Sequence, residues 1–223
     1  MPTLNEEKGI GKTIDAINQD YFKKNKWDLE IIIIDGDSTD KTREIAGKKG
    51  AKSIIEKRRG YGRAYKTGIP QVTGDIIVTG DADATYPFDR MHEYIEMLLH
   101  NNLDFITTDR FAEKHDSMSL GHRLGNFVLG TTSRIFFRVN FKDSQSGMWI
   151  FKKEALEKIQ PLEQFDDGMP FSEEIKIEMF ASKALESREM PSTLYLREGE
   201  AKIQSFSDGW KNLKFLFKKR FQS

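Results

Sequence analysis

Short aliphatic runs recur through the first half of this chain, and two of them end in paired carboxylates. Leu29 to Ile34 leads into Asp35-Gly36-Asp37, and Ile76-Ile77-Val78-Thr79-Gly80 leads into Asp81-Ala82-Asp83. Between the runs apolar residues return at helical spacing, as at Ile10, Ile14, Ile17 and Tyr21. Runs too short to be helices, alternating with helical stretches, constrain the fold more than any other feature. They predict an α/β chain of βαβ units, with a doubly wound, mostly parallel central sheet flanked by helices. In such a sheet the strand ends gather along one carboxyl edge, where the binding crevice forms.

The pattern predicts a helix starting near Glu6 or Glu7 and reaching Tyr21, a strand over 29–34, and a helix over 42–49 capped by Ser38-Thr39-Asp40 and stopped at Gly50. A strand over 53–56 follows, then a segment opened by Gly60-Tyr61-Gly62 and closed before Pro70. A strand over 75–79, a helix from Pro87 to His100 and a strand over 103–107 complete the first half. After about residue 112 the alternation loosens, with strands expected at 148–151 and 193–196 and a helix at 172–185.

Composition removes several function classes. The 223 residues carry 35 basic and 35 acidic side chains, so no general electrostatic affinity for nucleic acid is expected. The chain has no cysteine, which excludes disulfides, thiolate metal sites and cysteine nucleophiles. Its four histidines show no zinc spacing. No stretch approaches the roughly 18 apolar residues of a spanning helix, and no signal peptide is visible, so the expected location is cytoplasmic.

The chemistry concentrates at the strand ends. In an extended segment, residues two apart point the same way, so Asp81 and Asp83 concentrate negative charge with Ala82 between them. Hard oxygen donors of this kind suit Mg²⁺ or Mn²⁺, which could hold a diphosphate; the plainer alternative is a solvated acidic turn. Glu6, the Asp35/Asp37 pair and the Asp81/Asp83 pair would share the carboxyl edge. Together they suggest a ligand bearing sugar hydroxyls, a base with N–H donors and a metal-bound diphosphate.

These residues resemble a family. Pro2-Thr3-Leu4-Asn5-Glu6-Glu7, Ile34 to Asp40, Gly60-Tyr61-Gly62-Arg63-Ala64, Gly74-Asp75, Asp81-Ala82-Asp83 and Arg110 occur in the order seen in family-2 inverting glycosyltransferases. Within that family the chain looks most like the dolichol-phosphate mannosyltransferase group. Its downstream segments fit too: Asp143 to Met148, Pro170 to Glu174, and Glu189-Met190-Pro191 leading to Tyr195 through Lys202. The resemblance implies a GT-A type nucleotide-diphospho-sugar transferase fold over 1–205, with a nucleotide-sugar half (1–112), an acceptor half (113–205) and an amphipathic C-terminal helix (206–223).

The resemblance also implies roles. Pro2, Leu4 and Glu6 would line the nucleoside pocket, and Asp35 and Asp37 would accept hydrogen bonds from base and ribose. Asp81, Ala82 and Asp83 would form the Mg²⁺ or Mn²⁺ and diphosphate turn. Arg110 would neutralise phosphate, and Arg123, Arg134, Arg197 and Lys202 would serve the pyrophosphate or the acceptor phosphate. The donor would be GDP-mannose or UDP-glucose and the acceptor a polyprenyl or dolichyl phosphate. For a saccharide hydroxyl acceptor, Asp143, Glu173 or Glu174 would have to serve as base. The sequence departs from the family pattern in lacking an apolar strand ahead of Pro2, in Gly36 splitting the second acidic pair, in Thr85, and in Thr108-Asp109-Arg110.

Two segments suggest peripheral contact with the cytoplasmic membrane face. Leu124, Phe127, Val128, Thr131, Ile135 and Phe136 could form one apolar helical face, and so could Trp210, Leu213, Leu216 and Phe217, with basic residues nearby in both. Ordinary packing against the protein is the alternative for each. Rival readings of the whole chain are a haloacid-dehalogenase-type phosphatase, through Asp81-Ala82-Asp83-Ala84-Thr85, a nucleotidyltransferase, and a non-catalytic module that binds nucleotide sugar at a membrane surface.

Overall fold

The computed structural model describes residues 1–112, 120–199 and 205–221. Its strands are β1 (Pro2–Thr3), β2 (Ile32–Asp35), β3 (Lys52–Ile55), β4 (Ile76–Val78), β5 (Phe105–Asp109), β6 (Trp149–Lys152) and β7 (Ser187–Pro191). Its helices are α1 (Ile10–Ala16), α2 (Gln19–Lys24), α3 (Thr42–Lys48), α4 (Tyr61–Gly68), α5 (Met91–His100), α6 (Leu120–Phe137), α7 (Pro170–Ala181) and α8 (Ser205–Phe221).

The strands form two sheets. In the first, β1, β2 and β3 are parallel, with Pro2 opposite Ile34 and Ile32 opposite Lys52. The second has the order β4-β6-β5-β7, with β6 antiparallel to both of its neighbours and β7 parallel to β5. The expected parallel arrangement therefore holds for the first sheet, while the second is mixed. Parallel neighbours need a crossover that carries the chain back to the starting end of the sheet. The excursion between β5 and β6 makes no such return, so β6 enters from the end at which β5 leaves.

Three local expectations change. The helix expected from residue 6 or 7 to 21 is two helices: Ile17 is extended, and Asn18 Oδ1 caps α2 by accepting from the Tyr21 amide at 3.2 Å. The last strand lies at 187–191, not 193–196. Residues 193–199 instead cross the carboxyl edge, where the Tyr195 amide donates to the Thr85 carbonyl at 2.9 Å. Helix α7 spans Pro170–Ala181, because Pro170 fits a first turn that needs no amide donor.

Packing is heaviest under the second sheet, where Phe105, Trp149, Phe151 and Phe171 are fully buried. Ile10, Ile14, Ile33, Ala46 and Ala82 pack together under the first. β1 and β4 do not pair. A cleft of about 1010 Å³ separates the sheets there, lined by Phe22, Trp27, Ile31, Ile34, Ile76 and Val78. β1 is two residues long where the resemblance implies a full strand.

Candidate active site

The carboxyl edge is built by loops tied to one another. Beyond β1, the Asn5 amide donates to Ser38 Oγ at 2.8 Å, the Glu6 amide to Thr42 Oγ1 at 2.8 Å and the Glu7 amide to Asp40 Oδ2 at 3.1 Å. Asn5 Oδ1 in turn accepts from the Thr39 amide at 2.8 Å. The Pro2–Glu6 segment and the loop after β2 therefore form one surface. Asp35 is fully buried inside it. Its Oδ1 takes the Ser38 amide (2.8 Å) and Arg43 Nη1 (2.6 Å), and its Oδ2 takes the Ser38 hydroxyl at 2.6 Å. Asp37 has a left-handed backbone (φ 67°) and an exposed side chain 3.8 Å from Arg43. Of the two, Asp37 is the carboxylate open to a ligand.

The Asp81-Ala82-Asp83 turn follows β4. Ala82 points into the core, and the two aspartates flank it. Gly9, just before α1, lies so close that a Cβ there would meet Asp83 Cα at 2.7 Å. Thr13 Oγ1 receives the Ala84 amide at 2.9 Å, so α1 clamps the turn from behind. Asp83 is buried. Its Oδ1 takes the Thr85 amide (3.1 Å) and hydroxyl (2.6 Å), and its Oδ2 takes Arg197 Nη1. Arg197 Nη2 reaches Glu6 Oε1 at 2.9 Å. Asp81 is half-buried, with Oδ1 3.3 Å from the Tyr61 hydroxyl. Burial and the neighbouring Asp83 charge push the Asp81 carboxyl up to about 7, against the pull of Arg110 and Arg197.

Two hard carboxylates whose mutual charge is costly fit a divalent cation. The described residues contain no cluster of three or more metal-ligating His, Cys, Asp or Glu side chains. Mg²⁺ and its relatives are commonly held by one or two carboxylates plus substrate phosphates, so the pair suffices for a cation shared with a diphosphate. Asp81 and Asp83 would hold it.

Arg110 follows β5 and is locked to Asp143, Nε to Oδ2 at 2.7 Å and Nη2 to Oδ1 at 3.0 Å. Burial opposes the charge of Asp143, but Arg110, Lys176 and the Asn126 amide outweigh it and bring that carboxyl down to about 2. Lys176 is also buried; its Nζ donates to the carbonyls of Asp143 (3.1 Å) and Ser146 (2.8 Å), and burial brings it down to about 7. This loop ends at Gly147, where a Cβ would meet the Tyr61 hydroxyl at 2.5 Å. Gly147 donates its amide to the Tyr86 hydroxyl at 2.7 Å.

The structure thus brings Glu6, Asp83 and Arg197 into one contact group and sets Asp81 beside it through Tyr61. Arg110 faces the same region through its charge on Asp81. Pro2 and Leu4 line the Pro2–Glu6 surface, with Leu4 packed near Gly36. Arg123 sits on the exposed side of α6, its guanidinium 5.9 Å from the Phe111 ring. Arg134 donates to Thr131 Oγ1 at 2.9 Å. Lys202 lies outside the described residues. Sequence reasoning missed Tyr61, Tyr86, Thr13 and Arg43. Tyr61 sits within the noted Gly60-Tyr61-Gly62 motif, while Tyr86, Thr13 and Arg43 carry no local signal.

Comparison with known proteins agrees with this geometry. The family model for glycosyl transferase family 2 matches residues 1–160. Among curated proteins, the low-salt glycan biosynthesis hexosyltransferase Agl6 of Haloferax volcanii is 36% identical, over 97% of this chain and 52% of that protein. The chain therefore spans about half the length of that relative. The dolichyl-phosphate hexose transferase of the same organism is 28% identical over 94% of this chain and 87% of its own length. Among solved structures, glucosyl-3-phosphoglycerate synthase of Mycobacterium tuberculosis, in complex with Mn²⁺, UDP-glucose and phosphoglyceric acid, superposes with a TM-score of 0.73. It is 18% identical, over 98% of this chain and 77% of that one. Mannosyl-3-phosphoglycerate synthase of Rubrobacter xylanophilus gives 0.72 at 18% identity, over 99% and 72%. At that identity both show the fold alone, which is GT-A. The carboxylate-lined edge, the ordered motifs and the family match agree: the chain belongs to glycosyl transferase family 2.

Proposed function

We propose that this protein is a metal-dependent inverting hexosyltransferase that moves mannose or glucose from a nucleotide sugar to a polyprenyl or dolichyl phosphate. The observation that carries this reading is the state of the three carboxylates the sequence offers as bases. Asp143 is locked to Arg110. Glu174 is buried and accepts from Lys219, Gln160 and the Asp166 amide. Glu173 is fully buried against Ser133, and burial pushes it up to about 8 despite that hydrogen bond. A sugar hydroxyl acceptor needs a base; a phosphate is already an anion and does not. The name of the dolichyl-phosphate hexose transferase relative points the same way.

On this reading Glu6 and Asp37 orient the nucleoside, while Arg110 and Arg197 offset charge that builds on the departing diphosphate. A divalent ion, when bound at Asp81 and Asp83, supplies Lewis-acid stabilisation of that leaving group. Arg123 meets the acceptor phosphate, aligning one of its oxygens opposite the leaving group so that the anomeric centre inverts.

Peripheral membrane contact is supported by helix α6, which is turned inside out. Asn126, Leu129, Gly130 and Ser133 face inward, while Leu124, Phe127 and Ile135 are 65%, 64% and 70% exposed. Helix α8 packs on it through Leu216 and leaves Trp210 and Phe221 in the open, with Lys214 over the Trp210 ring at 5.7 Å. Among the described residues no helix is long and apolar enough to cross a membrane, so this surface is read as lying in an interface.

The test is release of nucleoside diphosphate from GDP-mannose and UDP-glucose, with Mg²⁺ or Mn²⁺, offered a short polyprenyl phosphate or a saccharide. Turnover with the lipid phosphate is expected. Turnover with the saccharide alone would overturn the acceptor assignment, and metal-independent turnover the cation assignment.

A further inference from the structure

Helix α1 turns Ile10, Thr13 and Ile14 into the core. Thr13 is the polar member of that face and is buried, so its hydroxyl needs partners within the protein. It has two. The hydroxyl donates to the Gly9 carbonyl one turn back at 3.1 Å, and its oxygen accepts the Ala84 amide at 2.9 Å. The peptide group at the far end of that bond joins Asp83 to Ala84, and it is held at both of its polar atoms. Its carbonyl accepts from the Glu198 amide at 3.0 Å, and its N–H goes to Thr13. One hydrogen bond fixes a point of a planar group, whereas two at opposite atoms fix its plane. Ala84 follows with φ 64°, a left-handed conformation that a residue with a Cβ keeps only where its surroundings hold it. That reversal brings Thr85 back onto Asp83, whose Oδ1 takes the Thr85 amide (3.1 Å) and hydroxyl (2.6 Å).

We propose that Thr13 is a positioning residue for the cation site: by fixing the Asp83–Ala84 peptide from the α1 side, it sets the direction in which the Asp83 carboxylate points. This rests on the reading of Asp81 and Asp83 as the cation and diphosphate site, and adds to it a residue that acts through the backbone behind them. Without the Thr13 hydroxyl, the Glu198 amide still holds the Asp83 carbonyl and Arg197 still meets Asp83 Oδ2. The turn therefore stays in place, but its peptide plane is free to rock. Ala84 relaxes toward ordinary backbone, Thr85 moves with it, and Asp83 Oδ1 loses its set orientation. A carboxylate loosened in this way must be ordered again when it coordinates a cation, so affinity falls without being abolished.

The experiment is titration of the full chain with Mn²⁺ in the presence of UDP or GDP, followed by the electron paramagnetic resonance signal of the free ion. Hydrogen–deuterium exchange of the Ala84 amide in the metal-free protein accompanies it. Thr13→Val keeps the side-chain shape and removes the hydroxyl, and Thr13→Ala removes it with no methyl in its place. Both are expected to bind Mn²⁺ about tenfold more weakly than wild type and to exchange faster at Ala84. Thr13→Ser keeps a hydroxyl, and should bind Mn²⁺ within about twofold of wild type with the amide still protected. If Thr13→Val and Thr13→Ala bind Mn²⁺ as wild type does, or if Thr13→Ser falls as far as they do, the proposal is overturned while the site reading stands. If no form binds Mn²⁺ even with nucleotide present, the site reading fails and takes the proposal with it.

Discussion

Helices α1 and α6, one from each half of the molecule, treat their apolar residues in opposite ways. In the first half, carboxylates at strand ends are held by neighbours close in sequence or in the adjacent loop, as Asp35 is by Ser38 and Arg43 and Asp83 by Thr85. Its apolar helical faces, such as Ile10 and Ile14 of α1, go into the core. In the second half, α6 buries Asn126, Gly130 and Ser133 together with Leu129, and shows Leu124, Phe127 and Ile135. The buried charges there (Asp143, Glu173 and Lys176), with the half-buried Arg110 that follows β5, form a network drawn from three separate segments. The first half obeys local rules and can be read from local motifs. In the second, α6 suspends the usual inside–outside rule over part of its length, and a helix that does so has an outer face suited to an apolar partner.

The comparison breaks most readily at Asp83. Asp83→Ala is expected to lower metal-dependent turnover by ~10²-fold or more while leaving the circular dichroism spectrum unchanged. Retained turnover would place the chemistry elsewhere. The next effect is structural and belongs to the second half. Asp143→Asn should cost about 3–5 kcal/mol in denaturant unfolding, because it breaks the ion pair that the fully buried Asp143 carboxylate makes with Arg110. A loss below 1 kcal/mol would mean that water reaches this pair.

A paired substitution tests the inverted helix directly. Leu129→Ala, on the inner side, should cost about 2–4 kcal/mol of stability. Phe127→Ser with Ile135→Ser, on the outer side, should cost about 0.5 kcal/mol or less while weakening co-flotation with anionic lipid vesicles about tenfold. Stability losses of equal size would show that the outer face packs against protein. Removing α8 is a poorer test than the sequence suggests, because Leu216 is fully buried and Lys219 is paired to Glu174 and Glu178.

The smallest effect is a pH dependence. Burial raises Glu173 from its ordinary value of 4.5 to about 8, so between those limits the folded protein holds a proton that the unfolded chain has released. Stability from this group is present at low pH and is lost as pH rises toward 8. Lys176, brought down to about 7, acts in the opposite sense at higher pH, where stability rises as the unfolded chain loses its own extra proton. Glu173→Gln should therefore gain stability relative to wild type as pH goes from 5 to 8. A constant difference across that range would show that Glu173 is ionised in the folded protein.

How much of this was legible in the sequence differs by element. The strands at 32–35 and 76–78 and helix α3 fall where periodicity and caps place them, because each is specified by adjacent residues. The Asp81-Ala82-Asp83 turn was legible for the same reason. The direction of β6 was not, because it depends on where a forty-residue excursion ends. The misplaced last strand has a related cause: Thr193 to Leu196 has strand-like composition, but the neighbouring edge at β5 is already taken by Ser187–Pro191.

By itself the sequence determined the alternation of elements, the edge on which carboxylates collect and the family to which the chain belongs, since all three are written in short-range order and spacing. Only the tertiary structure decided that Asp35 is locked inside its turn, that Arg197 lies on Asp83, and that α6 shows its apolar side. Those outcomes depend on which distant segment arrives to satisfy a buried charge or cover a helix face, and residue spacing carries no record of that.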